Sequence, residues 1–230
     1  MHPQLKAITT SFLWHADATK AAGMEAYLLH QFKFFGLQTP IRRQIFKAHF
    51  KQYGLVDLKE LELIIKEAWA LPEREYQYFA IELYSFHKKL WNKSSIHLMQ
   101  FCLINKSWWE SVDSIIAKWL SDYFKQFPEQ IIPITGQWNN SPNIWLMRSS
   151  ILFQKSFKQN TDEQLLANYI LHCHGSKEFF VQKAIGWSLR EYYKTDPDWV
   201  IQFVKQHQLA LSPLSKREGL KTFLRSTKNV

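Results

Sequence analysis

Apolar residues recur at spacings of three and four along most of the chain, which is the period of an amphipathic α-helix. Such stripes run through residues 58–68, 79–86, 115–123 and 151–157. No segment between turns shows the strict apolar–polar alternation of a half-buried strand. The pattern therefore predicts an all-α fold built from amphipathic helices.

Prolines mark the breaks between these helices. Because proline has a fixed φ and no N–H group, it suits the first turn of a helix. Polar residues near two of the breaks are candidate capping boxes, one over 107–110 and one over 161–164. The breaks are Thr39-Pro40, Leu71-Pro72-Glu73, Phe127-Pro128-Glu129, Ser141-Pro142-Asn143 and Ser212-Pro213.

Charged residues recur at a nearly constant interval. Gaps of 32, 38, 35, 35 and 34 residues separate Arg43, Glu75, Asp113, Arg148, Lys183 and Arg217. A period of about 35 to 40 residues with two helices per unit is typical of an α-solenoid of HEAT-like repeats, and an irregular helical bundle is the alternative. We predict a single domain over residues 1–230 with about six repeats, forming a curved superhelix with a basic concave face.

Composition narrows the classes of protein further. The 7 Gly and 8 Pro among 230 residues are too few for β-sandwiches or propellers, which need many turns. Lys and Arg number 29 against 20 Asp and Glu, so the net charge is +9. This excess favours a polyanionic partner such as nucleic acid or an anionic membrane, although a soluble protein with a basic pI is the simpler alternative.

Cysteine usage and the N-terminal segment bear on location. Cys102 and Cys173 lie in unrelated contexts, so we expect no disulfide framework and a reducing compartment. Residues 1–20 contain no continuous apolar run, and no stretch of 18 apolar residues occurs in the chain. We expect a soluble, cytoplasmic protein.

The segment 106–113 combines aromatic and acidic residues in an unusual way. Trp109 and Asp113 are four residues apart, which places them on one helix face. An ionised carboxylate beside an indole suits a developing cation, since both the charge and the ring quadrupole attract it. The alternative is structural, with Trp109 in the core and Asp113 supporting the start of its helix.

A second segment pairs basic and aromatic residues. Lys183, Trp187 and Arg190 follow the helical spacing i, i+4, i+7, just after the pair Phe179-Phe180. Cations beside an aromatic ring can contact a nucleic-acid backbone. An ordinary helix with solvated charges beside a core tryptophan explains the pattern about as well.

Two more segments offer phosphate contacts. Arg148 is a single cation among apolar residues, so it needs a partner, either a phosphate or Asp113 one repeat earlier. At the turn that enters the helix after Gly36, backbone N–H groups with Gln38, Thr39 and Arg43 could hold a phosphate. Turn and capping roles would account for the latter residues equally well.

Other chemical signals are weak. The cluster His172-Cys173-His174 has no second ligand pair at a suitable spacing, so we predict no metal site. The chain has no phosphate-binding glycine loop, no G-x-S-x-G elbow and no H-E-x-x-H motif. We therefore expect no cofactor, including nucleotide cofactors.

Taken together, these segments resemble the AlkD family of DNA alkylation-repair glycosylases. The resemblance implies a HEAT-like solenoid that grips duplex DNA. It also implies excision of the cationic lesions 3-alkyladenine and 7-alkylguanine, without a deep pocket for a flipped base. The matching stretches are 34–43, 71–75, 106–113, 143–148, 176–191 and 214–218.

The resemblance also implies roles for individual residues. Asp113 would steady the oxocarbenium-like sugar and orient the attacking water, and Trp109 and Trp187 would pack against that sugar. Arg148 would hold the nearby phosphate. The backbone further along would be held by Gln38, Thr39, Arg43 and Arg190, while Lys183 joins this DNA-binding set through its basic stripe.

One position departs from the family pattern. The basic residue expected at Ser156 is displaced to Lys155 or Lys158, which leaves one phosphate contact in doubt. An alkylated purine that is already cationic leaves readily, so a single carboxylate without a general acid is enough.

The leading prediction is thus a monofunctional alkylpurine DNA glycosylase that acts on duplex DNA as a monomer, without membrane contact. A non-catalytic HEAT-repeat protein that binds nucleic-acid structure is the alternative. A protein-interaction scaffold is a third interpretation, against which the basic charge argues.

Overall fold

The computed structural model of the protein describes residues 1–226. The chain divides into two compact units, and the second begins at Met99. The single domain expected over residues 1–230 therefore stays a prediction.

The first unit is built from helices that pack in pairs. Helix α3 packs on α1 and α5, and α4 packs on the same two helices. The interior between them is aromatic, with Phe12, Trp69 and Phe79 almost fully buried. The helices are α1 (Pro3–Trp14), α2 (Ala18–Tyr27), α3 (Thr39–Tyr53), α4 (Leu58–Ala70) and α5 (Arg74–Phe86), and α6 (Ser95–Ile104) contains the point of division.

The second unit also consists of packed helices. Helix α10 packs on α7, α9, α11 and α12, while α14 packs on α12 and α13. A π-helical turn (Ile116–Leu120) joins α7 to α8, so that residues 109–126 form one continuous helix. The helices are α7 (Trp109–Ile115), α8 (Ser121–Gln126), α9 (Ile131–Asn139), α10 (Ile144–Leu152), α11 (Glu163–Cys173), α12 (Phe179–Tyr192), α13 (Pro197–Gln206), α14 (Pro213–Gly219) and α15 (Lys221–Ser226).

The predicted repeat is present in the helix boundaries. Helices α3, α5, α7, α10, α12 and α14 begin at residues 39, 74, 109, 144, 179 and 213, so consecutive starts are 35, 35, 35, 35 and 34 residues apart. Apart from an isolated bridge between Lys33 and Glu73, residues 1–226 contain no β-pairing. The all-α, helical-repeat class is confirmed, whereas the curvature and the basic concave face stay predictions.

Three local predictions are wrong. Glu75 is not equivalent to the other repeat positions, because it is the second residue of α5 and is fully buried. Trp108, not Ser107, is the N-cap of α7 and makes no side-chain cap bond. At α11 the cap is Asp162, whose carboxylate accepts from the Leu165 N–H at 2.9 Å, and not Thr161.

Both cysteines are free and buried. Among residues 1–226, no helix combines the length and the apolar character that crossing a bilayer would need.

A buried histidine makes the stability of the first unit depend on pH. His49 is 5% exposed, lies against Tyr53 and Phe79, and its Nε2 is hydrogen-bonded to Gln4 Oε1 at 3.0 Å. Burial lowers the pKa of His49 to about 4. In the unfolded chain His49 binds a proton below about pH 6.5, whereas in the folded chain it stays neutral down to about pH 4. The free energy of unfolding should therefore fall by up to about 3 kcal/mol as the pH is lowered through this range.

Chemical unfolding at pH 7 and pH 4.5 measures this loss. We expect a smaller difference in the free energy of unfolding between the two pH values in His49→Gln, because glutamine can keep the hydrogen bond to Gln4 without titrating. The exposed His97→Gln is the control for removal of a histidine. Equal pH dependence in wild type and His49→Gln would exclude His49 as the source.

Candidate active site

An open cleft of about 340 Å³ lies in the second unit, where residues of α7, α10, α12 and α14 meet. These are four consecutive members of the series of helices that begin 34 or 35 residues apart. The lining residues include all six site residues predicted in this unit. They are Trp109, Asp113, Arg148, Phe179, Phe180, Lys183, Trp187, Arg190 and Glu218.

Asp113 and Arg148 form a two-pronged ion pair in this cleft. Arg148 Nε donates to Asp113 Oδ1 and Arg148 Nη2 donates to Oδ2, both at 2.8 Å. The Arg148 side chain is 5% exposed and that of Asp113 is 16% exposed. The pair fixes the plane of the carboxylate, because both oxygens are held by one planar guanidinium.

The repeat accounts for this pairing. Asp113 and Arg148 are 35 residues apart on α7 and α10, which pack against each other. Trp109 lies one helical turn before Asp113, so the helix brings both to the cleft, as the spacing predicted. The prediction that Asp113 is the partner of Arg148 is confirmed.

An aromatic cluster supports the cleft from α12. The Phe180 ring lies 4.9 Å from Trp145 and 5.5 Å from Trp108, centroid to centroid. The Phe180 carbonyl accepts a hydrogen bond from Arg148 Nη1 at 2.7 Å. The backbone of α12 therefore helps to hold Arg148, while neighbouring Phe179 stays 57% exposed.

Trp187 carries cations close to its ring. The Lys155 ammonium lies 3.9 Å from the ring centroid, and the Arg148 guanidinium carbon lies 5.8 Å from it. Trp187 Nε1 donates to Glu191 Oε1 at 3.2 Å. Burial lowers the pKa of Lys155, although the charge of Asp113 acts in the opposite direction.

Lys155 belongs to a second cleft that shares Trp187 as a wall. This cleft has a volume of about 660 Å³, is lined by Lys155, Lys158 and Lys194, and does not reach Asp113. Ser156, where a basic residue was expected, shares a 2.8 Å hydrogen bond with the Ser121 hydroxyl. Both candidate replacements, Lys155 and Lys158, line this cleft next to Trp187.

The predicted basic stripe is present, but its two cations, Lys183 and Arg190, are paired with Glu218. Lys183 Nζ lies 3.0 Å from Glu218 Oε1, and Arg190 Nη1 donates to Glu218 Oε2 at 2.8 Å. Glu218 is not among the residues predicted from the sequence, because the series of charged residues takes the adjacent and exposed Arg217 as its last member. The signal was present: Asp113, Arg148, Lys183 and Glu218 are each 35 residues apart.

The remaining predicted DNA contacts lie in the first unit. Gln38 is the N-cap of α3, Thr39 is its first residue, and Arg43 follows one turn later; all three are exposed. Arg42 Nη2 donates to Thr39 Oγ1 at 3.1 Å, and the Arg42 guanidinium lies 4.3 Å from the Tyr78 ring centroid.

The weak metal motif has a structural explanation. Asn139 Nδ2 donates to Cys173 Sγ at 3.3 Å, and burial raises the pKa of this thiol to about 11. Across the described part of the chain, no three His, Cys, Asp or Glu side chains form a group that could hold a metal.

Comparison with known proteins agrees with the geometry of the cleft. The chain matches the model of a family described as DNA alkylation repair enzyme over residues 8–223. It is similar to the solved structure of a predicted DNA alkylation repair enzyme from Enterococcus faecalis, with 33% identity over 90% of this chain and 95% of that one and a TM-score of 0.83. The search of curated proteins found no match. Since the family match extends over almost the whole chain, the protein belongs to the DNA alkylation repair enzyme family, and its role lies in DNA repair.

Proposed function

We propose that the protein is a DNA glycosylase that hydrolyses the N-glycosidic bond of cationic alkylpurines, 3-alkyladenine and 7-alkylguanine, in duplex DNA. One observation carries the proposal: the Asp113 carboxylate, held in a fixed plane by Arg148, shares a cleft with Trp109 and Trp187. A fixed anion in a cleft lined by aromatic rings suits a reaction whose transition state is a cation.

The chemistry needs little from the protein beyond this arrangement. The bond between C1′ and the purine nitrogen breaks with its electron pair moving to the base, which leaves as a neutral alkylpurine. Positive charge then develops on the deoxyribose, where Asp113 stabilises it. A water molecule oriented by Asp113 adds its oxygen to C1′ and releases a proton to solvent. Each Asp113 oxygen accepts one bond from Arg148 and keeps further acceptor capacity.

The same proposal assigns the cations to the DNA backbone. Lys183 and Arg190 line the cleft, and their charges suit phosphates beside the lesion. Arg148 uses three of its five N–H groups within the protein, so two remain for the phosphate nearest the lesion. Gln38, Thr39 and Arg43, exposed at the start of α3, would hold the duplex at a second place.

The proposal is of a monofunctional enzyme without a deep base pocket. Selectivity would come from the lability of the bond to a cationic purine, since no general acid is required. We further propose that the enzyme acts as a monomer in the cytoplasm and needs no cofactor. Its two free cysteines suit a reducing environment.

Base release from a duplex with a single 7-methylguanine tests the function. We expect release of 7-methylguanine and an abasic site in an otherwise intact strand, and no release from the unmodified duplex. Borohydride should trap no protein–DNA imine; a trapped adduct would overturn the monofunctional claim, and Lys155 beside Trp187 would be the first lysine to replace. No release from 7-methylguanine or 3-methyladenine duplexes, with duplex binding retained, would identify a non-catalytic DNA-binding protein.

A further inference from the structure

A close approach of α14 to α12 places Glu218, a residue of α14, against α12. Gly186 lies on the face of α12 that meets α14, where an added Cβ would fall 2.5 Å from Glu218 Cβ and 2.8 Å from the Ser215 carbonyl oxygen. No other residue type fits this contact without a shift of backbone. The backbone of Glu218 is therefore held directly over Gly186.

This position explains why one carboxylate reaches two cations. Lys183 precedes Gly186 by three residues and Arg190 follows it by four, so both flank Gly186 on the same helix face. Glu218 gives one oxygen to each, at 3.0 Å and 2.8 Å. Its side chain is 11% exposed, compared with 36% for Lys183 and 25% for Arg190.

The charges of this cluster favour an ionised Glu218. Burial by itself would raise the pKa of Glu218, but the hydrogen bond from Lys183 and the charges of Lys183, Lys221 and Arg190 outweigh it, and the pKa lies below its ordinary value. The two cations thus face a full negative charge at neutral pH.

We propose that Glu218 is a resident anion that occupies Lys183 and Arg190 until a DNA phosphate displaces it, and that it thereby limits affinity for undamaged duplex DNA. The inference rests on the proposed function, in which these two cations contact the backbone. A phosphate that binds them must approach the Glu218 carboxylate and replace its ion pairs. Binding therefore releases less free energy than two unpaired cations would provide, which helps an enzyme to leave undamaged DNA.

Glu218→Gln tests this role through the affinity for undamaged duplex DNA. Glutamine keeps the size of the side chain but cannot form ion pairs with Lys183 and Arg190. We expect the dissociation constant to fall about tenfold at 100 mM salt, because a phosphate no longer has to displace Glu218 from these two cations. The slope of log affinity against log salt should steepen by about one to two, because one or two cations become available to phosphates.

Two comparisons make the result specific. In the background Lys183→Gln/Arg190→Gln, Glu218→Gln should change neither affinity nor slope. Asp198→Asn, exposed on α13, removes the same charge away from the cleft and should change the affinity less than twofold.

Several results would overturn the inference. One is that folded Glu218→Gln binds undamaged duplex no more tightly than wild type. The others are an equal increase in affinity in Asp198→Asn, or an increase that persists when Lys183 and Arg190 are replaced. If Glu218→Gln does not fold, Glu218→Asp, too short to hold both cations, should raise the affinity and steepen the slope by about one. Failure of the wild-type protein to bind duplex DNA would reject the proposed function itself, a result distinct from all of these.

Discussion

Asp113→Asn is expected to slow single-turnover release of 7-methylguanine by about a hundred- to a thousandfold, which is typical for loss of one preorganised electrostatic group. Asparagine has the shape of aspartate, so the side chain can still fill its place beside Arg148 and Trp109. It has no negative charge to oppose the cation that develops on the sugar. Because this charge matters most in the transition state, the rate of base release should fall far more than the affinity for lesion duplex.

The ion pair adds a stability effect that must be measured separately. Arg148 is 5% exposed, and Asp113→Asn leaves its charge without a carboxylate. Loss of one partner of such a buried pair costs about 3 kcal/mol, so thermal unfolding must establish that the variant is folded under assay conditions. Asp198→Asn is the matched control for charge and should retain wild-type activity. Equal losses of binding and release in folded Asp113→Asn would show that Asp113 organises the site without taking part in the reaction.

Glu75→Gln is expected to destabilise the first unit by about 2 to 4 kcal/mol, because it disrupts a buried carboxylate that closes a loop. Glu75 Oε1 accepts the N–H groups of Gly36 and Leu37 at 3.0 Å, and Oε2 accepts that of Phe35 at 3.1 Å. Glutamine has one acceptor oxygen, and its NH₂ group would face a backbone N–H. At least one buried donor is therefore left unsatisfied.

The geometry of the loop leaves it little room to adjust. Gly36 has φ +89°, and a Cβ there would fall 2.1 Å from the Asp17 carbonyl oxygen. The Asp17 N–H in turn donates to the Phe35 carbonyl at 2.8 Å. Gln38 and Thr39 follow directly, so movement of the loop moves two proposed DNA contacts. Since both are uncharged, we expect duplex affinity to fall about five- to tenfold with an unchanged salt slope.

Hydrogen exchange locates the effect of Glu75→Gln. The amides of Phe35, Gly36 and Leu37 should exchange faster in the variant than in wild type. Glu62→Gln, which removes an exposed carboxylate from a surface pair with Lys66, is the control and should cost only a few tenths of a kcal/mol. Unchanged protection of the three amides would contradict the proposed closure of the loop by Glu75.

The local patterns of the chain determined much of this protein. Helical spacing follows from 3.6 residues per turn, so the all-α class could be predicted from the apolar stripes alone. The same geometry placed Trp109 with Asp113, and Lys183 with Trp187, in one cleft. The interval of about 35 residues between charged positions is also the interval between the starts of α3, α5, α7, α10, α12 and α14.

Which side chains pair across neighbouring helices depends on the tertiary structure. Consecutive residues on a helix point about 100° apart, so an error of one position changes which side chain faces the neighbouring helix. The series of charged residues in the sequence ends at Arg217, but the contact of α14 with Gly186 turns Glu218 toward Lys183 and Arg190. The resulting contact depends on how closely two helices pack, a quantity that no local pattern contains. For the same reason, only packing joined Glu75 to backbone about 40 residues earlier and brought Lys155 to the ring of Trp187.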